Sequence, residues 1–185
     1  GPESDLIDHE GPVVLFVGRL VEGKRPETAV RALATFRETR SDATLYLCGE
    51  GPLKDELLSL AEELGVRDAV TFVGQVPYAE MPAVYRGADA FVLPSRAEGV
   101  PRTIMEAMAT GVPVVSSDLP QVRELVSSGG YTVDVGAHEA FAEQLGRCLD
   151  GDYPVEGRER IVGEHSWRDT VARTTAVLER ICESR

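Results

Sequence analysis

Six short apolar runs recur along this chain with helix-forming segments between them, and that alternation limits the folds open to its 185 residues more than any other feature. The runs are 13–17, 44–48, 70–74, 89–93, 112–115 and 129–133. They are continuous rather than alternating, as expected of strands buried on both faces of a sheet. Pro26 and Glu27 open a helix that carries Ala29, Val30, Leu33, Ala34 and Phe36 at helical spacing. A second helix over 53–64 stops at Gly65, and a third runs roughly over 78–86. A fourth begins near Arg102 or Thr103, a short fifth contains Val122, Glu124 and Leu125, and a sixth covers 138–149. Val171, Thr174, Thr175, Val177, Leu178 and Ile181 mark a final helix. Strand and helix in this alternation predict βαβ units with right-handed crossovers. The expected fold is therefore a Rossmann-like three-layer α/β/α sandwich around a parallel sheet of about six strands, spanning 12–185. Residues 1–11 are polar, acidic and unpatterned, and read as a linker or an appended remnant.

Composition narrows the partners. A hydrophobic fraction of 43% with 27% charged residues is that of a soluble globular domain. No apolar run approaches the length of about 18 residues that a membrane span needs, and no basic segment precedes an apolar core near the N-terminus. A cytoplasmic domain is expected. The net charge of −12 argues against binding nucleic acid or an anionic membrane through the domain as a whole. Any phosphate site must be a local basic one. Only Lys24 and Lys54 are lysines among 19 basic residues, against 31 acidic ones. Such a surface suits a high-salt cytoplasm, where at about 1 M the Debye length falls to roughly 3 Å. Refolding that requires added salt is the expected behaviour, and full stability without it would count against the halophilic reading. Cys48, Cys148 and Cys182 are odd in number, widely spaced and without a C-x-x-C, and read as small buried hydrophobes.

Two loops concentrate the chemistry. Gly18-Arg19-Leu20-Val21-Glu22-Gly23-Lys24-Arg25-Pro26 is basic, rimmed by glycine, and lies between a strand and a helix. In a doubly wound sheet such loops, at the carboxyl ends of the strands, form the ligand crevice. The second stretch, 94–111, passes from a strand through a loop holding Glu98 into a helix holding Glu106. The free amides of that helix's first turn, from Arg102 to Met105, can receive an anion. Two carboxylates would repel a phosphate but can hold neutral hydroxyls, although carboxylates eight residues apart can equally be solvated. Gly49-Glu50-Gly51-Pro52 reads as a tight strand-to-helix turn, because no third glycine follows at the spacing of a dinucleotide loop. Asp150-Gly151-Asp152 sits in a helix-ending turn and reads as turn chemistry rather than as a metal site. His9, His138 and His165 read as caps or packing elements, and Arg96 as a solvated or loop-bracing residue.

Glu98-Gly99-Val100-Pro101, then Glu106-Ala107-Met108-Ala109, then Gly111-Val112-Pro113-Val114-Val115, resemble the E-x7-E signature of the group 1 glycosyl transferases, the retaining GT-B enzymes of family 4. Gly18-Arg19-Leu20 followed by Lys24 is similar to that family's basic segment, and His165-Ser166-Trp167 to the segment opening its last helix. The resemblance implies that Glu98, with Gly99, Val100, Pro101, Arg102, Thr103 and Ile104 around it, meets the donor sugar and phosphates. It implies that Glu106 holds the nucleotide ribose, that Arg19 and Lys24 neutralise the diphosphate, and that Gly74, Gln75 and Val76 lie against the nucleobase through backbone groups. Glu98, Arg19 and Lys24 would then form the catalytic set. The donor would be a UDP-, GDP- or ADP-sugar, with no required metal. Leu119-Pro120-Gln121-Val122 stands where many relatives carry a Gly-Gly pair.

GT-B enzymes pair two such domains, so the chain is expected to be the C-terminal, donor-binding half of a larger enzyme, inactive alone. The acceptor site, and any membrane contact, would lie in an N-terminal partner domain. A non-catalytic nucleotide-sugar-binding regulatory module is the alternative, and would keep the same four charged residues.

Overall fold

The computed structural model describes residues 6, 7, 9–164 and 175. The strands are β1 (Val13–Val17), β2 (Thr44–Cys48), β3 (Val70–Gly74), β4 (Ala90–Leu93), β5 (Val114–Ser117) and β6 (Gly130–Val133). The helices are α1 (Pro26–Arg37), α2 (Lys54–Glu63), α3 (Met81–Arg86), α4 (Arg102–Thr110), α5 (Pro120–Val126), α6 (His138–Leu149) and α7 (Gly157–Glu164). All strand pairs are parallel, in the order β3-β2-β1-β4-β5-β6. The order reverses between β1 and β4, which defines a crevice at their carboxyl ends.

The central strands are almost entirely dry. Leu15, Phe16, Leu45, Leu47, Ala90, Phe91, Val114 and Val115 are each fully buried, so both faces of the sheet are covered. Helix α1 packs against α6 and α2 on one face, while α4 packs against α3 and α7 on the other. The apolar faces of these helices supply the burial that offsets chain ordering, at about 25 cal/mol per Å² of apolar surface.

Three expectations need correction. The third helix starts at Met81, not Tyr78, because residues 78–80 form turns in which the Glu80 and Met81 amides donate to Pro77 O and Tyr78 O. The fifth strand covers Val114–Ser117 rather than 112–115. Proline 113 has no N–H for the ladder, and the Val112 amide is spent on Ala107 O in closing α4. Helix α7 was not expected at all. His165, Ser166, Trp167, Cys182 and the final helix fall outside the described residues, apart from Thr175, which is helical and exposed. At the other end Ile7 packs against the core, and His9 Nε2 lies 2.8 Å from Asp42 O.

Beyond the strand ends the first three loops stay laced together. The Gly18 amide donates to Cys48 O (3.0 Å), that of Leu20 to Glu50 O (2.9 Å) and that of Gly49 to Gly74 O (2.7 Å). Gly49 has φ +144°, and a Cβ there would stand 2.0 Å from Gly18 O. Only glycine allows this approach. The glycines at 49 and 51 serve backbone contact with the 18–20 loop, a reason for glycine that the turn reading alone does not supply.

Candidate functional site

The two chemistry-bearing loops flank the switch point. The 18–25 loop leaves β1 and the 94–101 loop leaves β4, the strands between which the order reverses. They are joined directly. Lys24 Nζ stands 2.6 Å from Glu98 Oε1, and the Arg96 amide donates to Gly23 O at 2.9 Å. Arg96 thus braces the loop through its backbone while its side chain is exposed. The Glu98 side chain is 8% exposed and that of Lys24 30%. The pair is therefore partly withdrawn from water, where a charge-assisted hydrogen bond is stronger than at the surface.

Arg19 lies on the same loop, exposed, and among the described residues its side chain has no hydrogen-bond or ion-pair partner. Arg25, next to Lys24, is the one non-glycine residue with positive φ among the described residues (φ 51°). That conformation turns the chain sharply between the short 3-10 turn at Glu22–Lys24 and α1, with Pro26 at the helix start. Its guanidinium donates to Thr28 Oγ1 and lies against Gly136, in the turn after β6, where an added Cβ would meet it.

Glu98 is also held from behind, since Gln121 Nε2 donates to its carbonyl oxygen. Gly99 and Val100 are exposed at the loop tip, and Pro101 is buried beneath it. At the α4 N-terminus the Arg102 amide donates to Val100 O, and those of Ile104 and Met105 to Pro101 O. Of the expected cradle, the Thr103 amide is the one without a partner among the described residues. Ile104 is fully buried, so its side chain belongs to the core. Arg102 is exposed at the helix start.

Glu106 faces α3 one turn further down. Tyr85 Oη donates to Glu106 Oε2 at 2.9 Å, and both line a hollow of about 290 Å³ with Tyr78, Met81 and Pro82. Tyr85 packs edge-on against Phe91 with ring centroids 5.8 Å apart. Burial and the Glu106 charge both push its phenol pKa upward, so it stays a donor at any physiological pH. Tyr85→Phe is expected to cost about 1 kcal/mol of stability and to loosen Glu106, with the loss read by thermal unfolding.

Gly74 (φ +80°) ends β3, Gln75 Nε2 reaches Glu50 Oε2 at 3.3 Å, and Val76 packs partly on the core. Asp150 and Asp152 pair with Arg40 and Arg147, respectively. Among the described residues no group of three or more His, Cys, Asp or Glu is placed to hold a metal ion. Cys48 and Cys148 are free and buried, which pushes each thiol up to about 12 and keeps it inert. No helix among the described residues is long and apolar enough to cross a membrane.

A hollow of about 670 Å³ lies elsewhere, between α1 and α2. Its carboxylates, Glu22, Glu27, Asp55, Glu56 and Glu63, outnumber Arg31 and Arg96 and disfavour an anion.

A doubly wound parallel sheet with basic and acidic loops meeting at its switch point defines a class, the Rossmann-like ligand-binding domains. Comparison with known proteins narrows it: residues 2–164 match the family described as glycosyl transferases group 1, and the chain belongs to that family. It is 35% identical over 177 residues to the GDP-mannose-dependent alpha-(1-6)-phosphatidylinositol monomannoside mannosyltransferase of Mycobacterium tuberculosis, covering 88% of this chain and 46% of that one. It is 35% identical over 180 residues to the D-inositol 3-phosphate glycosyltransferase of Corynebacterium glutamicum, covering 89% and 42%. Sucrose-phosphate synthase of Thermosynechococcus elongatus superposes with a TM-score of 0.83 at 28% identity, over 95% of this chain and 47% of that one. The chain thus spans a little under half the length of these relatives.

Proposed function

We propose that this domain binds a nucleoside diphosphate sugar across the β1/β4 crevice and presents it for transfer to an acceptor hydroxyl. The observation that carries the reading is the meeting of Lys24 and Glu98 over the switch point, with the Arg19 side chain, on the same loop as Lys24, unpaired among the described residues. Membership of the family and a relative named for its dependence on GDP-mannose support a donor of this class. In this reading Arg19 and Lys24 take the diphosphate, with the Thr103 amide assisting. Glu98 takes sugar hydroxyls and Glu106 the ribose, beside the hollow between α3 and α4. Gly74, Gln75 and Val76 border the base.

The reaction is transfer with retention at the anomeric carbon. Charge developing on the leaving diphosphate is stabilised by the fixed Arg19 and Lys24 cations, so this reading requires no metal. The relatives are more than twice as long as their matched portion. That length supports a larger protein around this domain; in our reading the remainder includes an N-terminal domain carrying the acceptor site and any membrane contact, and the donor domain is cytoplasmic and inactive alone.

Calorimetric titration of the chain in high salt with UDP, GDP, ADP and their hexose conjugates tests the donor site. Saturable binding to one nucleotide, weakened by Glu106→Ala, is expected. Binding unchanged in the variant would remove Glu106 from the site.

A further inference from the structure

We propose that Glu98 is a specificity-determining residue that favours the intact nucleotide sugar over free nucleoside diphosphate, because it occupies the lysine that a diphosphate needs. The proposal rests on the donor reading above and adds to it a role for the ion pair itself.

The geometry carries it. Among the described residues, Lys24 is the one partner of the Glu98 carboxylate, at 2.6 Å, and the carboxylate is nearly buried while the ammonium remains about a third exposed. The pair cannot be separated cheaply by moving the loops. The Arg96 amide bonds Gly23 O beside Lys24, and Gln121 holds the carbonyl of Glu98. A bare diphosphate arriving at Lys24 must therefore draw the ammonium away and leave a nearly buried carboxylate unpaired next to two phosphates. Like charges at that range and a buried unpaired charge both oppose it.

A nucleotide sugar changes the exchange. Its hydroxyls can donate to the Glu98 carboxylate as Lys24 turns to the phosphates, so both charges keep partners. After the sugar has been transferred, the hydroxyls leave with the acceptor, and Glu98 can recover Lys24. Re-formation of the pair then displaces the spent nucleoside diphosphate, which is the product most able to block the site.

The test is titration of the chain and of Glu98→Gln with UDP, GDP, ADP and their hexose conjugates at one ionic strength. Glu98→Ala serves as a second variant that leaves no amide to satisfy, and unfolding curves establish that each variant is folded. The expected result is nucleoside diphosphate binding about tenfold tighter in both variants, as one partly screened like-charge contact is removed. Binding of the matching nucleotide sugar is unchanged or weaker, so the preference for it collapses. Diphosphate binding no tighter in either variant than in the wild type would overturn the role of Glu98 and leave the donor site standing. No binding of any of these ligands by any of the three proteins would overturn the donor reading and this role together.

Discussion

If the proposed donor site is right, replacing Lys24 with alanine in the full-length protein is expected to lower glycosyl-transfer turnover more than replacing Arg19. In the proposed site each substitution would remove one cation facing the leaving diphosphate, and the loss of one such donor typically costs about 3 kcal/mol of barrier, a hundredfold or more in rate. For Arg19 that is the whole effect, since the exposed side chain has no partner among the described residues to leave behind. For Lys24 there is a second term. The Glu98 side chain is 8% exposed and loses its ion-pair partner at 2.6 Å, leaving an uncompensated carboxylate beside the anion. The double variant Lys24→Ala, Glu98→Gln should therefore bind donor better than Lys24→Ala alone. Steady-state rates and donor affinities of the four proteins check this. Near-normal turnover in both single variants would remove the two residues from the diphosphate site.

The largest stability effect is expected from Gly49→Ala. At φ +144° a side chain is strained by about 1–3 kcal/mol. The added Cβ would also fall 2.0 Å from Gly18 O, a backbone atom that cannot step aside without breaking the bonds from Gly18 to Cys48 and from Leu20 to Glu50. A loss of roughly 3 kcal/mol or more follows, which for a domain of this size lowers the melting temperature by about 6–12 °C. Because the displaced loop is the one carrying Arg19 and Lys24, donor affinity should fall with it. Gly23→Ala is the control. A Cβ there meets nothing within 4 Å and its φ is not positive, so thermal unfolding of that variant should match the parent.

Much of this arrangement is written locally in the chain. Val13–Val17 and Ala90–Phe91 are apolar at every position because they lie at the centre of a sheet covered on both faces, so their runs declare them strands. The loops after them carry the sheet's ligand chemistry wherever the strand order reverses, which is why Arg19, Lys24 and Glu98 could be grouped from sequence. What was not readable depends on contacts between distant elements. Nothing near Tyr85 in sequence says that its hydroxyl will hold Glu106, since α3 and α4 are separated in the chain by β4 and its loop and are brought side by side only by the fold. Gln121 occupies the place where the family's Gly-Gly pair was missing, and that departure was the signal for a changed contact, but not for the carbonyl it grips. Helix α7 is poor in apolar residues and contains Gly157 and Gly163, so its own propensity is low. It forms where Gly157 can approach Gly129 against α4. The left-handed turn at Arg25 is likewise held by its neighbours, Thr28 and the Gly136 turn.

In the proposed function, the two loops flanking the β1/β4 switch point hold a nucleotide sugar. Backbone amide resonances of the chain, followed by NMR during addition of UDP-, GDP- or ADP-hexose, test it most directly. The expected result is that perturbations gather at residues 18–24, 74–76 and 98–106 with one of the three donors. Perturbations centred instead on the acidic hollow between α1 and α2, at Leu53, Leu57 and Leu60, would contradict it.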